Sequence, residues 1–134
     1  MPMTREQFYL YSYRLVGALM DAKILGKEER TFRELIEDTE IRGTGDRYPA
    51  RLSFLLRENA KLGTINRINI PVKPFLKYSI SQQGEDYFIL LNGFIAYLTG
   101  IYKKDKDINE LIVEASKLAD NFFNFLKVDL ERYR

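Results

Sequence analysis

The chain has 134 residues, of which 46% are hydrophobic and 30% are charged, and this balance is typical of one soluble globular domain. Its formal net charge is only +2, and it contains neither His nor Cys. These absences exclude Ser-His-Asp and Cys-His nucleophiles and any imidazole or thiolate zinc site. Catalysis by paired carboxylates, or by a magnesium ion that carboxylates hold, is not excluded by the composition. We therefore expect a protein that is not an enzyme and that needs no cofactor.

The N-terminal region does not have the pattern of a signal peptide, because Arg14 interrupts its apolar stretch and no small-residue cleavage site follows. The most apolar run, Tyr87 to Tyr102, covers 16 residues. A membrane span needs roughly 20. The sequence predicts a cytoplasmic protein without a membrane segment.

Residues 4–25 predict the first helix, because their apolar side chains recur every three or four positions. Thr4 and Gln7 have the spacing of a capping box at its start. Gly26 is expected to end it.

A short second helix is predicted by another capping box, Thr31 with Glu34, and Ile41 is expected to close it. After a glycine-rich turn, Asp46 can cap a third helix, and Gly63 ends it. The side chains predicted to point inward from this third helix are Leu52, Leu55, Leu56 and Leu62.

Two short β-rich segments, residues 64–70 and 75–81, predict a two-stranded ribbon with a short tip. From Gln83 the chain returns to helix. This fourth helix is apolar almost all round, so it must be covered on more than one side. A polar break at residues 103–107 precedes a long final helix of near-heptad spacing.

The predicted order of helix, short helix, turn, helix, ribbon and helix is that of a winged helix-turn-helix. Three segments resemble the core of small prokaryotic regulators of the MarR, PadR and HxlR type: Thr31-Phe32-Arg33-Glu34-Leu35-Ile36, Leu62-Gly63-Thr64-Ile65-Asn66-Arg67, and Lys77-Tyr78-Ser79-Ile80-Ser81-Gln82-Gln83-Gly84. Small archaeal winged-helix regulators are also similar. The resemblance covers about residues 30–88, and Asn59 departs from it by standing where these families usually keep an apolar residue.

The resemblance implies an α+β fold that is mainly α with a small β-ribbon. We expect one winged-helix domain over residues 1–134, with an N-terminal helix (4–25), a helix-turn-helix and wing (30–82) and C-terminal helices for dimerisation (83–134).

The charge distribution agrees with this expectation. Residues 42–77 hold eight basic and two acidic side chains, whereas the rest of the chain holds 13 basic and 17 acidic ones. A DNA duplex requires such a positive surface, because phosphate neutralisation supplies most of the non-specific affinity. A solvated basic surface without a partner is the alternative.

The candidate DNA contacts fall into three groups: the start of the recognition helix, its later turns, and the wing. The N-terminal part of the recognition helix reaches base edges, which favours Thr44, Arg47, Tyr48 and Arg51. Arg57 and Lys61 lie further along the helix and are expected to contact phosphates or to form local salt bridges. The wing residues Arg67, Asn69, Lys73 and Lys77 would position the protein on the backbone.

Two other patterns are weaker. Gly43-Thr44-Gly45 lacks the full spacing of a nucleotide-binding loop, so we interpret it as a turn. Glu34, Glu37 and Asp38 lie close together on one helix and could bind a cation, but a solvated helix face has the same spacing.

Apolar and aromatic residues of the first and last helices could line a ligand pocket, but a core or a dimer interface is the more frequent use. We expect a homodimer with two recognition helices about 34 Å apart on a near-palindromic site. The predicted interface residues are Phe8, Tyr11, Leu15, Leu111, Leu118, Phe122, Phe125 and Leu126.

The sequence therefore predicts a sequence-specific, double-stranded DNA-binding transcriptional regulator. The alternative is a winged helix that serves as a protein-interaction module in a segregation or replication complex, with weak or no DNA binding. Acidic side chains that neutralise the basic surface would favour this alternative.

Overall fold

The computed structural model describes residues 3–41 and 50–132, with side chains as far as residue 121. The described chain is mainly helical with one two-stranded antiparallel sheet, as the α+β prediction requires. Its elements in chain order are α1 (Arg5–Ile24), α2 (Phe32–Thr39), α3 (Ala50–Leu62), β1 (Ile65–Asn69), β2 (Leu76–Ile80), α4 (Gln82–Tyr102) and α5 (Ile108–Arg132).

Both predicted capping boxes are confirmed. The Thr4 hydroxyl accepts a hydrogen bond from the Gln7 backbone N–H at 3.1 Å, and the Gln7 side chain accepts one from the Thr4 N–H. Thr31 and Glu34 repeat this exchange at the start of α2. Each pair satisfies two backbone donors that a helix start leaves without partners. The starts of both helices are therefore determined locally by the sequence.

The predicted end of α1 agrees with the structure, whereas α2 ends two residues before Ile41, which was expected to close it. Helix α1 ends at Ile24, and Gly26 follows in the left-handed region with φ 78°. Helix α2 ends at Thr39, whose hydroxyl donates to the Leu35 carbonyl at 2.6 Å and accepts from the Ile41 N–H at 3.2 Å. The hydroxyl bond to Ile41 turns the chain inward, and Ile41 is buried.

The inward face of α3 differs from the prediction at one position. Leu52, Leu55 and Leu56 are buried as expected, but the prediction for Leu62 is wrong, because its side chain is 50% exposed. Asn59, which lies seven residues after Leu52 and four after Leu55, takes the inward position in the last turn of the helix. Leu62 continues that stripe, seven residues after Leu55, but it is the last residue of α3, and the core does not extend as far as its side chain.

The sheet is a hairpin with Ile65 opposite Ile80 and Asn69 opposite Leu76. A third segment joins its edge, because Arg30 and Tyr78 exchange two backbone hydrogen bonds of 2.8 Å. The hairpin is thereby attached to the residue that immediately precedes the Thr31 cap of α2.

The chain divides into two compact units, residues 1–86 and 87–134. In the first unit α1 packs against α2, α3 and β2, while α3 packs against β1. The core of this unit consists mainly of aliphatic side chains, the completely or almost completely buried ones being Leu15, Val16, Leu19, Leu35, Ile41, Leu52, Leu55 and Leu56. The expectation of one domain over the whole chain stays a prediction.

The second unit contains most of α4 and all of α5. The predicted break between the two helices is confirmed at residues 103–107. Helix α5 starts with an Asp107 cap, whose carboxylate accepts from the Glu110 N–H at 2.8 Å. Lys106 in the break pairs with Glu114 and lies 4.2 Å from the centre of the Tyr102 ring. The hydrogen bond to Glu114 raises the pKa of Lys106. No helix in the described part of the chain has the length and apolar composition that a membrane crossing requires.

Candidate nucleic-acid interface

The solvent face of α3 is the centre of the candidate site. Ser53, Arg57 and Lys61 follow one another at four-residue spacing, and all three are exposed. This stripe lies opposite the buried one that contains Leu52 and Asn59. A helix that buries one stripe in a core presents the other to a partner or to water, so α3 presents two cations and a hydroxyl.

Arg57 and Lys61 share a single carboxylate. The Glu58 carboxylate lies 3.7 Å from the Arg57 guanidinium and 3.5 Å from the Lys61 ammonium. The two cationic side chains remain 59% and 67% exposed, and ion pairs this exposed contribute little energy. One negative charge against two positive ones leaves this face of α3 with a net positive charge.

Arg51 is placed differently. Its guanidinium donates a hydrogen bond to the Tyr11 hydroxyl at 2.9 Å and lies 4.8 Å from the centre of the same ring. Arg14 approaches that ring as well, at 5.6 Å. Arg51 is half-buried and held toward α1 rather than toward the Ser53 stripe. Its contact with a DNA groove stays a prediction.

The hairpin adds a second group of polar and basic side chains. Arg67, Asn69 and Lys73 are exposed, and neither Arg67 nor Lys73 forms an ion pair with a described carboxylate. Lys77 is half-buried and lies 3.9 Å from Glu29. Three of the four predicted wing residues are therefore exposed, while the charge of Lys77 is partly neutralised.

Arg67 also influences its neighbour across the sheet. Arg67 lies opposite Tyr78 in the hairpin register. Burial raises the pKa of Tyr78, and the nearby charge and hydrogen bond of Arg67 oppose this shift.

The end of α3, the start of β1 and the start of α4 meet at one joint. The Ser81 hydroxyl donates to the Gly63 carbonyl at 2.5 Å and accepts from the Gly84 N–H at 2.9 Å. The Ser81 N–H donates to the Thr64 carbonyl at 3.1 Å, and the Gln83 side chain donates to the Leu62 carbonyl at 3.0 Å. These bonds connect two of the motifs that carry the family resemblance. They fix the hairpin relative to α3, so the two basic groups have a defined relative position.

Asn59 stabilises the same region from inside. Its amide donates to the Ser12 hydroxyl at 3.1 Å and to the Leu55 carbonyl at 2.9 Å, and its side-chain oxygen lies 2.9 Å from the Thr64 hydroxyl. All of its polar atoms thus have partners although the residue is only 2% exposed. In the sequence, Asn59 is visible only as a polar residue in an otherwise apolar stripe. Its hydrogen-bond partners, Ser12 of α1 and Thr64 of the turn before β1, could not be identified from that pattern.

The acidic residues of α2 are engaged in the first unit's own structure. Arg30 donates to Glu34 at 2.7 Å and to Asp38 at 2.9 Å. The hydrogen bond from the Thr31 backbone lowers the pKa of Glu34, with further help from the Thr31 hydroxyl and the charge of Arg30, against an opposing effect of burial. Two members of the candidate cation cluster therefore bind Arg30. Among the described residues, no group of His, Cys, Asp or Glu side chains has an arrangement that could hold a metal ion.

Several predicted residues cannot be placed. Thr44, Arg47 and Tyr48, together with the Gly43-Thr44-Gly45 turn, lie outside the described residues. The backbone of α5 is described at positions 122, 125 and 126, but Phe122, Phe125 and Leu126 lie beyond the last described side chain.

The other predicted interface residues differ in accessibility. Leu15 and Leu111 are buried within the chain, at 0% and 4% exposure. Phe8 and Tyr11 are half-buried, because Phe8 meets the edge of Phe54 and Tyr11 receives Arg51. Leu118 is 43% exposed. Leu15 and Leu111 are thus buried by the chain itself and need no second copy to cover them. Leu118 is exposed enough to contact another molecule.

Comparison with known proteins finds no match to the chain among protein-family models, curated proteins or solved structures.

Proposed function

We propose that the first unit is a winged helix and that the protein is a homodimeric, sequence-specific double-stranded DNA-binding transcriptional regulator. In this proposal α2 and α3 form the helix-turn-helix, and the β1–β2 hairpin is the wing. The backbone bridge between Arg30 and Tyr78 supports the assignment, since it attaches the wing to the segment that leads into α2.

The observation that carries the proposal is the positive charge shared by α3 and the hairpin. Residues 50–80 contain six basic side chains and one acidic one. A recognition helix in the major groove and a wing along the backbone require positive charge at both places. The exposed cations Arg57 and Lys61 on α3 and Arg67 and Lys73 on the hairpin meet that requirement.

The positions of these residues suggest separate roles. Ser53, Arg57 and Lys61 would border the groove, where the two cations can contact phosphates. Thr44, Arg47 and Tyr48, which precede α3 in the chain, would read base edges. Arg67, Asn69 and Lys73 would contact phosphates and sugars and so fix the register.

The alternative is a winged helix that binds another protein. Glu29 beside Lys77 and Glu58 between Arg57 and Lys61 favour it, because they neutralise part of the surface. Two carboxylates against the six basic residues of α3 and the hairpin leave a clear positive excess, which is why DNA is the preferred partner.

Fluorescence anisotropy with a mixed-sequence duplex, measured across a salt series, tests the proposal. We expect affinity to fall steeply between 50 and 200 mM salt, as it does for proteins with several phosphate contacts. The variant Arg57→Gln/Lys61→Gln is expected to bind more weakly and to reduce the salt slope by about 2, since each phosphate contact contributes about 0.9 to it.

The matched control is Lys104→Gln/Lys117→Gln, which removes the same charge from two exposed lysines of the second unit. It should leave the slope unchanged. Equal losses for both variants would show that only total charge matters. Absence of binding at low salt would contradict the proposal and favour the protein-interaction module.

A further inference from the structure

From residue 87 to residue 102, helix α4 has an exposed face without a charged residue. Its exposed members recur at helical spacing and are Ile89, Gly93, Ala96, Tyr97, Gly100 and Ile101. Ile89 is 62% exposed, Tyr97 66% and Ile101 53%. Between Asp86 and Lys103 the sequence contains no Asp, Glu, Lys or Arg at all. A solvent-facing helix surface normally carries charges, so this surface is typical of an interface.

We propose that this face of α4 is the contact with a second copy of the chain, in which two α4 helices pack antiparallel around a two-fold axis at the level of residue 95. This contact rests on the homodimer of the proposed function, and the exposed residues of α4 would form it.

Charge favours a second copy over other partners. Nucleic acid and an anionic lipid surface both need basic side chains, and this face has none. Two identical uncharged faces bury no unpaired charge when they meet and do not repel each other. A two-fold contact also requires one surface to complement itself.

The sizes of the side chains satisfy this requirement. In an antiparallel pair centred at residue 95, Tyr97 of each copy lies opposite Gly93 of the other. Ile89 lies opposite Ile101 in the same register. The space next to Gly93 is open, because no heavy atom outside the adjacent residues and the helix's own backbone lies within 4 Å of the point that a Cβ atom would occupy there. A glycine opposite an exposed tyrosine gives a hole for a large side chain, and it lets the two helices approach closely.

The contact would explain why one side of α4 remains uncovered in the single chain. The sequence predicted that this helix must be covered on more than one side. Leu91 and Leu98, which are buried, lie on one side of α4, while Ile89 and Ile101 remain exposed in the single chain. The second copy would cover this other side.

Sedimentation velocity of the full chain without DNA, from about 1 to 200 μM, tests the proposal. We expect the wild type to form a dimer with a Kd in the micromolar range, because a contact of one helix pair is small. Tyr97→Glu should weaken association by about 100-fold, since it buries a carboxylate opposite an apolar surface. Val72→Glu is the matched control, because it places the same charge on an exposed apolar residue of the hairpin tip. Thermal unfolding by circular dichroism confirms that both variants are folded.

Cysteine cross-linking tests the register, because the chain has no cysteine of its own. Mixing Ile89→Cys with Ile101→Cys should give a disulfide-linked dimer, whereas either variant alone should not, because in the antiparallel pair like positions are about 18 Å apart along the axis. A monomer at all concentrations, an unaltered dimer in Tyr97→Glu, or cross-linking of each single variant would overturn the proposal. Since no DNA is present, none of these outcomes affects the anisotropy test of DNA binding.

Discussion

A Cβ atom on Gly84 would lie 2.0 Å from the backbone carbonyl oxygen of Thr64. Real Cβ atoms do not approach a carbonyl so closely, so the first turn of α4 can pack against the turn before β1 only if residue 84 is glycine. The glycine is not required by its own backbone angles, since position 84 lies in a regular helix. It is required by the close approach of two segments that are 20 residues apart in the chain.

Gly84→Ala is therefore expected to destabilise the protein by about 1–3 kcal/mol, the usual range for forcing an extra methyl group into a tightly packed site. Gly100→Ala, measured at a protein concentration below the dimer Kd so that the proposed α4 contact does not contribute, is the control within the same helix. No atom outside the adjacent residues and the helix's own backbone lies within 4 Å of the added Cβ there, and alanine should stabilise the helix by about 0.5–1 kcal/mol. Urea unfolding measures both. Equal stability of the two variants would show that α4 and the turn are not in close contact.

The buried Asn59 network predicts a second effect. Asn59→Leu is expected to lower the free energy of unfolding by about 2–3 kcal/mol. It removes the amide that donates to the buried Ser12 hydroxyl, leaves the Thr64 hydroxyl only the backbone carbonyl of residue 59, and adds volume. Asn59→Leu/Ser12→Ala should recover part of this loss, since the unpaired Ser12 hydroxyl is then gone. A double variant no more stable than the single one would argue against the Asn59–Ser12 hydrogen bond.

Glu34 predicts a pH dependence. Its pKa is lowered in the folded protein by the Thr31 hydrogen bonds and by Arg30. The ionised carboxylate therefore contributes stability at pH values above the ordinary glutamate pKa, and this contribution is lost as the pH falls through the lowered folded value. Glu34→Gln keeps an acceptor for the Thr31 N–H but has no charge. Wild type should exceed this variant in stability at pH 7, and the difference should shrink as the pH falls below the ordinary glutamate pKa. Chemical unfolding at several pH values measures it, and a gap that is the same at pH 7 and pH 3 would contradict the prediction.

Ser116 predicts a gain in stability. Its hydroxyl is buried, the residue being 1% exposed, and it has no hydrogen-bond partner among the described atoms. Ser116→Ala should stabilise the protein by about 1 kcal/mol, because a buried hydroxyl without a partner costs free energy and alanine is the better helix former. Ser53→Ala, at an exposed position of α3, separates the propensity effect from the burial effect. If both substitutions change the melting temperature equally, the Ser116 hydroxyl is not destabilising.

If the hairpin residues contact the DNA backbone as proposed, their removal should cause a loss of affinity that does not depend on the DNA sequence. Arg67→Gln/Lys73→Gln should weaken binding to specific and mixed-sequence duplexes by the same factor, because backbone contacts carry no sequence information. Thr44→Ala/Arg47→Gln is expected to reduce the preference for a selected site as well, because these residues are proposed to read base edges. Anisotropy with both duplexes at one salt concentration separates the two effects. A sequence-dependent loss in the wing variant would assign base contacts to the hairpin.

Local signals were sufficient for much of the fold. The capping boxes at Thr4 and Thr31 give the starts of α1 and α2 because both partners lie within three residues of each other. The polar break at 103–107 and the two β-rich segments likewise gave their elements to within a few residues. The basic character of α3 and the hairpin followed from counting charges.

The prediction for Leu62 was wrong, because a leucine at the end of a helix satisfies the apolar pattern whether or not the core extends that far. Arg51 and Arg57 look equivalent in the sequence, yet one is held on Tyr11 and the other is exposed. The difference depends on where α1 crosses α3. No pattern within α3 contains that information.

By itself, then, the sequence determined the helices, the hairpin, the absence of His and Cys chemistry, and the segment that carries the positive charge. Only the tertiary structure decided that Asn59 is a buried hydrogen-bonding centre, that Gly84 is required by Thr64, and that Ile89, Tyr97 and Ile101 of α4 remain exposed. The physical reason is range. Caps, turns and charge density act over a few residues, whereas burial and close approach depend on partners that are distant in the chain.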